Sequence, residues 1–329
     1  MSGNDPGASA AENYRAFAKE ARGRSPRYVK LARQVAADPE ILGFLAALPR
    51  PKRQPNLLYA AACYLLGDYA DISTLRKLIV RRREELTATM LARRTQTNET
   101  ARCATLLPAL AALPQPLALI EVGASAGLTL LPDRYSYSYS CASGSAAEGG
   151  PRLTGTDPAA PVLECSARGA VPLPDRVPSV VWRVGLDLNP LDVNSDDDVR
   201  WLRCLVWPGE TGRLERLDAA IATARRDPPP VHPGDLLTDL PSLRRQAPAD
   251  ATVVVFHSAV LAYVEAARRR EFADLVRSLG VVWLSNEAPG VLPWITGGER
   301  SREYFMLVRD GETVLARTDG HGTWLEWLA

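Results

Sequence analysis

Lysine is nearly missing from this chain. Lys19, Lys30, Lys52 and Lys77 are its only lysines, so arginine supplies the rest of the 39 basic residues. Set against 38 acidic residues they leave a formal net charge of +1, which provides no global attraction to nucleic acid or an acidic membrane. The five cysteines (Cys63, Cys103, Cys141, Cys165, Cys204) are widely spread, with no C-x-x-C and no histidine beside them. An odd number at irregular spacing argues against a disulfide framework or a zinc site, and buried thiols in a reducing cytoplasm are the simpler reading. Long apolar runs are also lacking. The most apolar stretch, residues 106–126, is interrupted by Pro108, Pro114, Pro116 and Glu121, which no membrane span would tolerate together. The opening "MSGNDPGASAAEN" has neither the basic start nor the apolar core of a secretory signal. These absences predict a cytoplasmic protein with no metal, no membrane association and no nucleic-acid partner.

What is present divides at about residue 113. Residues 1–12 read as a disordered tail, and residues 13–113 as an all-helical domain. "SPRYVKLARQVAA" offers Ser25 as N-cap with Pro26 at the first helical position, and "DPEILGFLAAL" repeats the device with Asp38 and Pro39. Further helical spacing follows in "NLLYAAACYLL" and "STLRKLIVRRREELTATMLARR". From Leu117 the signal changes to short apolar runs ("LALIEV", "SVVWRVGLDL", "ATVVVFHS", "GVVWLSNE") separated by helical stretches. Such alternation predicts an α/β fold with a mostly parallel sheet over residues 114–329. Asp310-Gly311 joins two later strand-like runs, which suggests an antiparallel terminal hairpin. A segment at about 136–178 breaks the alternation with "YSYSYS" and a Gly/Ala/Pro-rich stretch. It reads as an insertion after the first helix of the sheet domain, with a small hairpin in it.

The chemistry turns on "LIEVGASAGL". Gly123-Ala124-Ser125-Ala126-Gly127 spells G-x-S-x-G, the nucleophile elbow of serine hydrolases. Ser125, an aspartate such as Asp235 or Asp310, and His321 have the chain order of that triad. Two features oppose this reading: about 110 residues of helical signal come first, and no upstream His-Gly-Gly segment exists. The alternative is a cofactor loop, in which a glycine turn lets backbone approach a ligand and the next helix presents free N–H groups. Glu121 then lies at the strand's carboxyl end, where open α/β sheets bind ligands. Asp187, followed by Asn189, ends the second long strand and can accept ribose hydroxyls. Asp235 and Leu236 follow the next short strand, placed to read an adenine amino group.

Those same residues carry a family resemblance. Residues 117–290 resemble the class I methyltransferase superfamily that uses S-adenosylmethionine. Glu121, Gly123 and Gly127 match its first motif, Asp187 its ribose-binding acid and Asp235 its adenine-side acid. The resemblance implies a Rossmann-like seven-stranded sheet with an antiparallel terminal hairpin, S-adenosylmethionine as cofactor, and transfer of a methyl group. Over nearly its whole length the chain also resembles a bacterial family of unknown function, through "RQPNLL", "TQTNE.ARCA", "EVGASAGL", "PLDV", "VVFH.AVLAYV", "SNE.P" and a terminal "HG..LEWL". Two departures from the superfamily stand out. The middle glycine of its loop is Ser125, and Gly127 to Asp187 far exceeds the roughly 20 residues of dinucleotide folds.

The expected function is methyl transfer to an unidentified small molecule, with the helical domain as a cap over the cleft. Glu121, Gly123, Ala124, Ser125, Gly127, Asp187, Asn189, Asp235 and Leu236 would hold the cofactor. His257, at a strand's carboxyl end, is the candidate base, and a core histidine is the plain alternative. Gln96, Asn98, Glu99 and Arg102, with Tyr135, Asn286, Glu287 and His321, are candidate cleft residues. Asn98 could equally cap the helix that follows it. A non-catalytic module binding S-adenosylmethionine or a nucleotide remains an alternative, as does the hydrolase. The oligomeric state stays open.

Overall fold

A computed structural model describes residues 9–141, 150–296 and 304–329. Most of the expected tail, and residues 142–149 of the expected insertion, lie outside the described residues. The tail is shorter than expected, because a helix already begins at Ala10. Ser9 caps it, and Glu12 returns the bond to complete a capping box.

The chain forms two compact units, residues 1–97 with 195–215 and residues 98–194 with 216–329. The described elements of the first unit are helices: α1 (Ala10–Glu20), α2 (Pro26–Val35), α3 (Pro39–Ala46), α4 (Pro55–Leu66), α5 (Ile72–Arg81), α6 (Arg83–Ala92) and α8 (Asp196–Cys204). The start of α9 (Thr211–Arg226) belongs to it as well. The caps are those the sequence offers, with Ser25 accepting from Tyr28 N–H and Asp38 from Glu40 and Ile41 N–H. An aromatic cluster of Tyr14, Phe17, Tyr28, Tyr59 and Trp207 fills its core. The unit is therefore not a contiguous N-terminal domain ending at residue 113. It draws residues 195–215 from mid-chain, and α7 (Arg102–Ala111) belongs to the other unit.

Among the described residues the second unit carries a sheet of eleven strands, where seven were expected. Its strands are β1 (Leu117–Val122), β2 (Ser136–Cys141), β3 (Arg152–Leu153), β4 (Val162–Arg168), β5 (Val180–Asp187), β6 (Val231–Pro233), β7 (Thr252–Ser258), β8 (Val282–Glu287), β9 (Phe305–Arg309), β10 (Thr313–Thr318) and β11 (Trp324–Trp327). Helices α10 (Leu240–Gln246) and α11 (Ala266–Ser278) lie between its later strands in the chain. The order is β3-β2-β4-β11-β10-β9-β8-β7-β1-β5-β6. Parallel pairs join β6-β5-β1-β7-β8, and antiparallel pairs run β8-β9-β10-β11. The stretch β6-β5-β1-β7-β8-β9 has the doubly-wound order 3-2-1-4-5-6, whose ligand crevice opens where the order reverses, here between β1 and β7. All six residues of β1 are buried, as expected for a strand covered on both faces.

The extra strands come from the segment read as an outward insertion. β4 pairs in parallel with the otherwise free edge of β11, and β2 pairs in parallel with β4. The expected helix after β1 is replaced by a 3-10 turn at Leu128–Leu130. Pro132 accounts for the replacement, since it cannot continue a helix and disfavours α backbone at the residue before it. Tyr135, Tyr137 and Tyr139 are all buried, donating to the carbonyls of Leu128 (2.6 Å), Pro132 (2.6 Å) and Ala104 (2.7 Å). Tyr135 is thus a core residue rather than part of a cleft.

Arg183 on β5 grips Asp133 in a two-pronged pair (2.7 and 2.8 Å) and donates to Leu130 O at 2.8 Å. The two side chains are 14% and 11% exposed. Arg183→Met leaves the Asp133 carboxylate buried without its counter-charge, which costs about 3–5 kcal/mol. Urea unfolding checks this, and a loss below about 1 kcal/mol, the level of a surface pair, would show that the pair does not anchor the turn after β1.

Candidate functional site

The glycine turn leaves β1 through Gly123 and Gly127, at φ +73° and +72°, with Ser125 between them at φ +54°. The carboxylate of Asp187 at the end of β5 holds it. One oxygen accepts the Ser125 N–H at 2.8 Å and the other the Asn189 N–H at 2.8 Å. Four further amides of the turn also have partners. Gly123 and Ala124 donate to Leu186 O, Gly127 donates to Ala124 O, and Leu128 donates to the Asn98 side chain at 2.9 Å. Asn98 therefore caps the 3-10 turn rather than its own helix, which has no side-chain cap. A Cβ at Gly123 would stand 2.4 Å from Val260, so the space beside that glycine is filled by the protein itself.

The neighbouring strand, β7, also ends in left-handed backbone, with Ala259 at φ +59°. A non-glycine residue costs energy in that region, and Ser125 and Ala259 flank the switch point between β1 and β7. Glu287 at the end of β8 holds the second of these turns. Its Oε1 accepts the Val260 and Leu261 N–H groups at 2.8 and 2.9 Å and lies 2.8 Å from His257 Nδ1. His257 is wholly buried. Trp283 Nε1 is only a donor and gives its hydrogen to His257 Nε2 at 3.0 Å, so the histidine proton is on Nδ1 and faces Glu287. Both ring nitrogens are occupied in the core. His257 was expected to act as a base, and it has no nitrogen directed at a ligand.

Asn286 is fully buried, donating to Ser258 Oγ (3.1 Å) and accepting from Thr318 Oγ1 (2.7 Å). Arg102 bridges Ser258 O at 3.0 Å and Gly320 O at 2.9 Å. Gly322 packs so closely on the Ala101 carbonyl that a Cβ there would meet its carbon at 2.2 Å. Glu99 accepts from Arg216 Nε at 3.0 Å. The half-buried His321 donates its own N–H to Asp319 at 3.1 Å within the β10–β11 turn. Asn98, Glu99, Arg102, Glu121, Asn286, Glu287 and the His321 turn therefore meet around the carboxyl ends of β1, β7 and β8. Gln96 falls in the helical unit. Asp235 and Leu236 are half-buried, and the Asp235 carboxylate is held by Arg268 at 2.6 and 2.7 Å and by Leu237 N–H at 2.9 Å. Burial works to raise that carboxyl, but the Leu237 amide and the Arg268 guanidinium outweigh it and keep it below the usual carboxylate range.

Glu121 is a strongly perturbed acid of the cluster. Its Oε1 accepts from Thr129 Oγ1, and its buried Oε2 has no hydrogen-bond partner. Burial pushes its carboxyl from an ordinary 4.5 up to about 8, opposed by the Thr129 bond and the Arg102 charge and aided by Asp187. Thr129, Arg216, Ala259, Val260 and Trp283 all shape this region and escaped the sequence reading, because each acts through the fold and none stands in a motif. Ser125 is only 4% exposed and is followed by no α-helix. An elbow needs an exposed Oγ on a strand-to-helix turn. Among the described residues no group of three or more His, Cys, Asp or Glu could hold a metal ion, and no helix is long and apolar enough to cross a membrane.

A mixed α/β fold with glycine and acid turns at the carboxyl ends of parallel strands defines the class. The chain belongs to the family described as "Uncharacterized protein conserved in bacteria (DUF2332)", whose family model matches residues 11–327. No curated protein and no solved structure matches it. The methyltransferase resemblance has no counterpart in these comparisons.

His257→Ala leaves the Trp283 N–H without a partner in the core and removes one of the three groups bonded to Glu287 Oε1, and should lower stability by about 1–3 kcal/mol. Chemical denaturation measures it; a variant as stable as the wild type would return His257 to consideration as a base. Glu121 predicts a pH dependence. Between about 4.5 and 8 the unfolded chain has lost this proton and the folded protein keeps it. Its contribution is therefore fully present below about pH 4.5 and declines by a few kcal/mol as pH rises to about 8. Glu121→Gln should flatten that decline and be the more stable protein at pH 9. Identical pH slopes for the two would show that Glu121 ionises normally.

Proposed function

We propose that the sheet unit binds an adenosyl ligand of the S-adenosylmethionine type across the carboxyl ends of β5, β1 and β7, and that the protein is a methyltransferase-like enzyme acting on a small molecule. The observation that carries this reading is the position of Asp187. It ends the strand beside β1, next to the switch point, where an acid in an open α/β sheet reads ribose hydroxyls. Its bonds to the Ser125 and Asn189 amides orient the carboxylate before any ligand arrives.

The fit is partial. The nucleoside half suits Asp187. The glycine turn does not suit a ligand carboxylate, since its amides at Gly123, Ala124, Ser125, Gly127 and Leu128 already have partners and Val260 fills the space at Gly123. Asp235 would reach an adenine amino group only by sharing its carboxylate with Arg268. The locked His257 favours a second reading, a module that binds the same ligand without catalysis.

Calorimetric titration with S-adenosylhomocysteine, with Asp187→Asn as control, tests the proposal. Saturable binding by the wild type is expected, weakened about tenfold or more in the variant by loss of a charged hydrogen-bond partner. Because Asp187 also holds the glycine turn, thermal melts establish that the variant is folded. No binding to folded wild type would end the S-adenosylmethionine reading. Binding without transfer from S-adenosylmethionine to any acceptor in a small-molecule panel would favour the second reading.

A further inference from the structure

The two ends of the candidate site differ in how much of them a ligand can reach. Gly123 is half-buried, and every residue from Ala124 to Leu130 is buried. The protein's own side chains fill the space at the glycines. A Cβ at Gly123 would meet the two Val260 methyls at 2.4 and 2.8 Å, and one at Gly127 would meet Pro229 at 2.8 Å and Val231 at 3.0 Å. The chain that leaves β5 covers the turn as well, with the Leu191 N–H donating to Ser125 O at 3.1 Å. The end of β5 is open by comparison. Asp187, Asn189 and Pro190 are half-buried, and Leu188 between them is 61% exposed. On the other side of β5 from β1, β6 leads into the half-buried Asp235 and Leu236, and the Gly234 N–H ties the two strand ends together by donating to Asp187 O at 2.9 Å.

We propose that this site recognises the nucleoside half of its ligand alone, so that it takes uncharged adenine nucleosides, adenosine or a 5′-thioether of it, as tightly as S-adenosylhomocysteine. The inference rests on Asp187 as the acid that reads the ribose. An amino-acid tail carries a carboxylate and an ammonium, and each needs a built partner to add affinity. A carboxylate is held by backbone N–H groups that have no other acceptor. Here the N–H groups of Gly123, Ala124, Ser125, Gly127 and Leu128 are taken within the protein, and Glu287 takes those of Val260 and Leu261 in the turn after β7. An ammonium needs a reachable anion. Glu121 at the end of β1 is buried, bonds to Thr129 Oγ1, and has its carboxyl pushed by burial up to about 8, which leaves it neutral at pH 7. A tail without such partners stays in water, where its charges contribute little. A seated tail would raise affinity about tenfold or more for each charged hydrogen bond.

The test is calorimetric titration of the purified full chain with adenosine, 5′-methylthioadenosine and S-adenosylhomocysteine at pH 7. The expected result is three dissociation constants within about fivefold of one another, less than one charged hydrogen bond would add. Asp187→Asn should weaken all three by the same factor, because the contact it removes lies in the half they share. Binding of S-adenosylhomocysteine tighter than adenosine by more than that margin would overturn the inference and leave the adenosyl reading standing. Binding of adenosine with rejection of S-adenosylhomocysteine would support the inference and end the S-adenosylmethionine reading. Failure of all three to bind folded protein would overturn both. Should Asp187→Asn fold poorly, the three wild-type titrations decide.

Discussion

The carboxylate-to-amide hydrogen bond at the end of a parallel strand is the interaction on which the sheet unit depends. Where a strand gives way to a turn, its amides lose their ladder partners, and a buried amide left unpaired is costly. This chain answers with side-chain oxygens drawn from neighbouring elements. Asp187 holds the turn after β1, Glu287 the turn after β7, Asn98 the 3-10 turn that replaces a helix, and Asp319 the turn before β11. Each acceptor comes from elsewhere in the sequence or from the turn's own flank, so the carboxyl edge of the sheet is a mesh rather than a row of independent loops.

That mesh explains why residues with the look of ligand-binding acids are so heavily engaged. Asp187 orients a left-handed serine, Glu287 orients a histidine and two amides, and Asp235 is neutralised by Arg268. The strain at Ser125 and Ala259 is sustained because these bonds over-determine the backbone there. Glu121 is the exception. It is buried with no ion pair on its carboxyl, and it holds its proton to about pH 8. The helical unit follows different rules. Its core is an aromatic cluster, and its mid-chain helix α8 is fastened to α4 by an edge-on ring contact, a cation contact and side-chain hydrogen bonds at Tyr64.

Some features were legible and went unread. Pro132 stands four residues after Leu128 and forbids the helix expected after the glycine turn. The alternating tyrosines of "YSYSYS" carry a strand signal that suits a buried sheet, and the structure uses them so, as β2 of the main sheet. Other features left no trace in the letters. Nothing in "NETAR" reveals that Asn98 caps a turn thirty residues on, or that Arg102 reaches the carbonyls of Ser258 and Gly320.

Local chemistry alone determined the helix caps at Ser25 and Asp38, the buried strand before Gly123, the alternation of strand and helix, and the placement of Asp187 and Asn286 at strand ends. These follow from backbone preferences and from periodicity, which act over a few residues. Tertiary structure decided the rest. It recruited residues 195–215 into the helical unit, added β2 to β4 to the free edge of β11, and turned His257 inward between Trp283 and Glu287. The physical reason is that hydrogen-bond satisfaction and burial are settled between elements distant in the chain, and a residue's type states what it can bond to without stating which partner arrives.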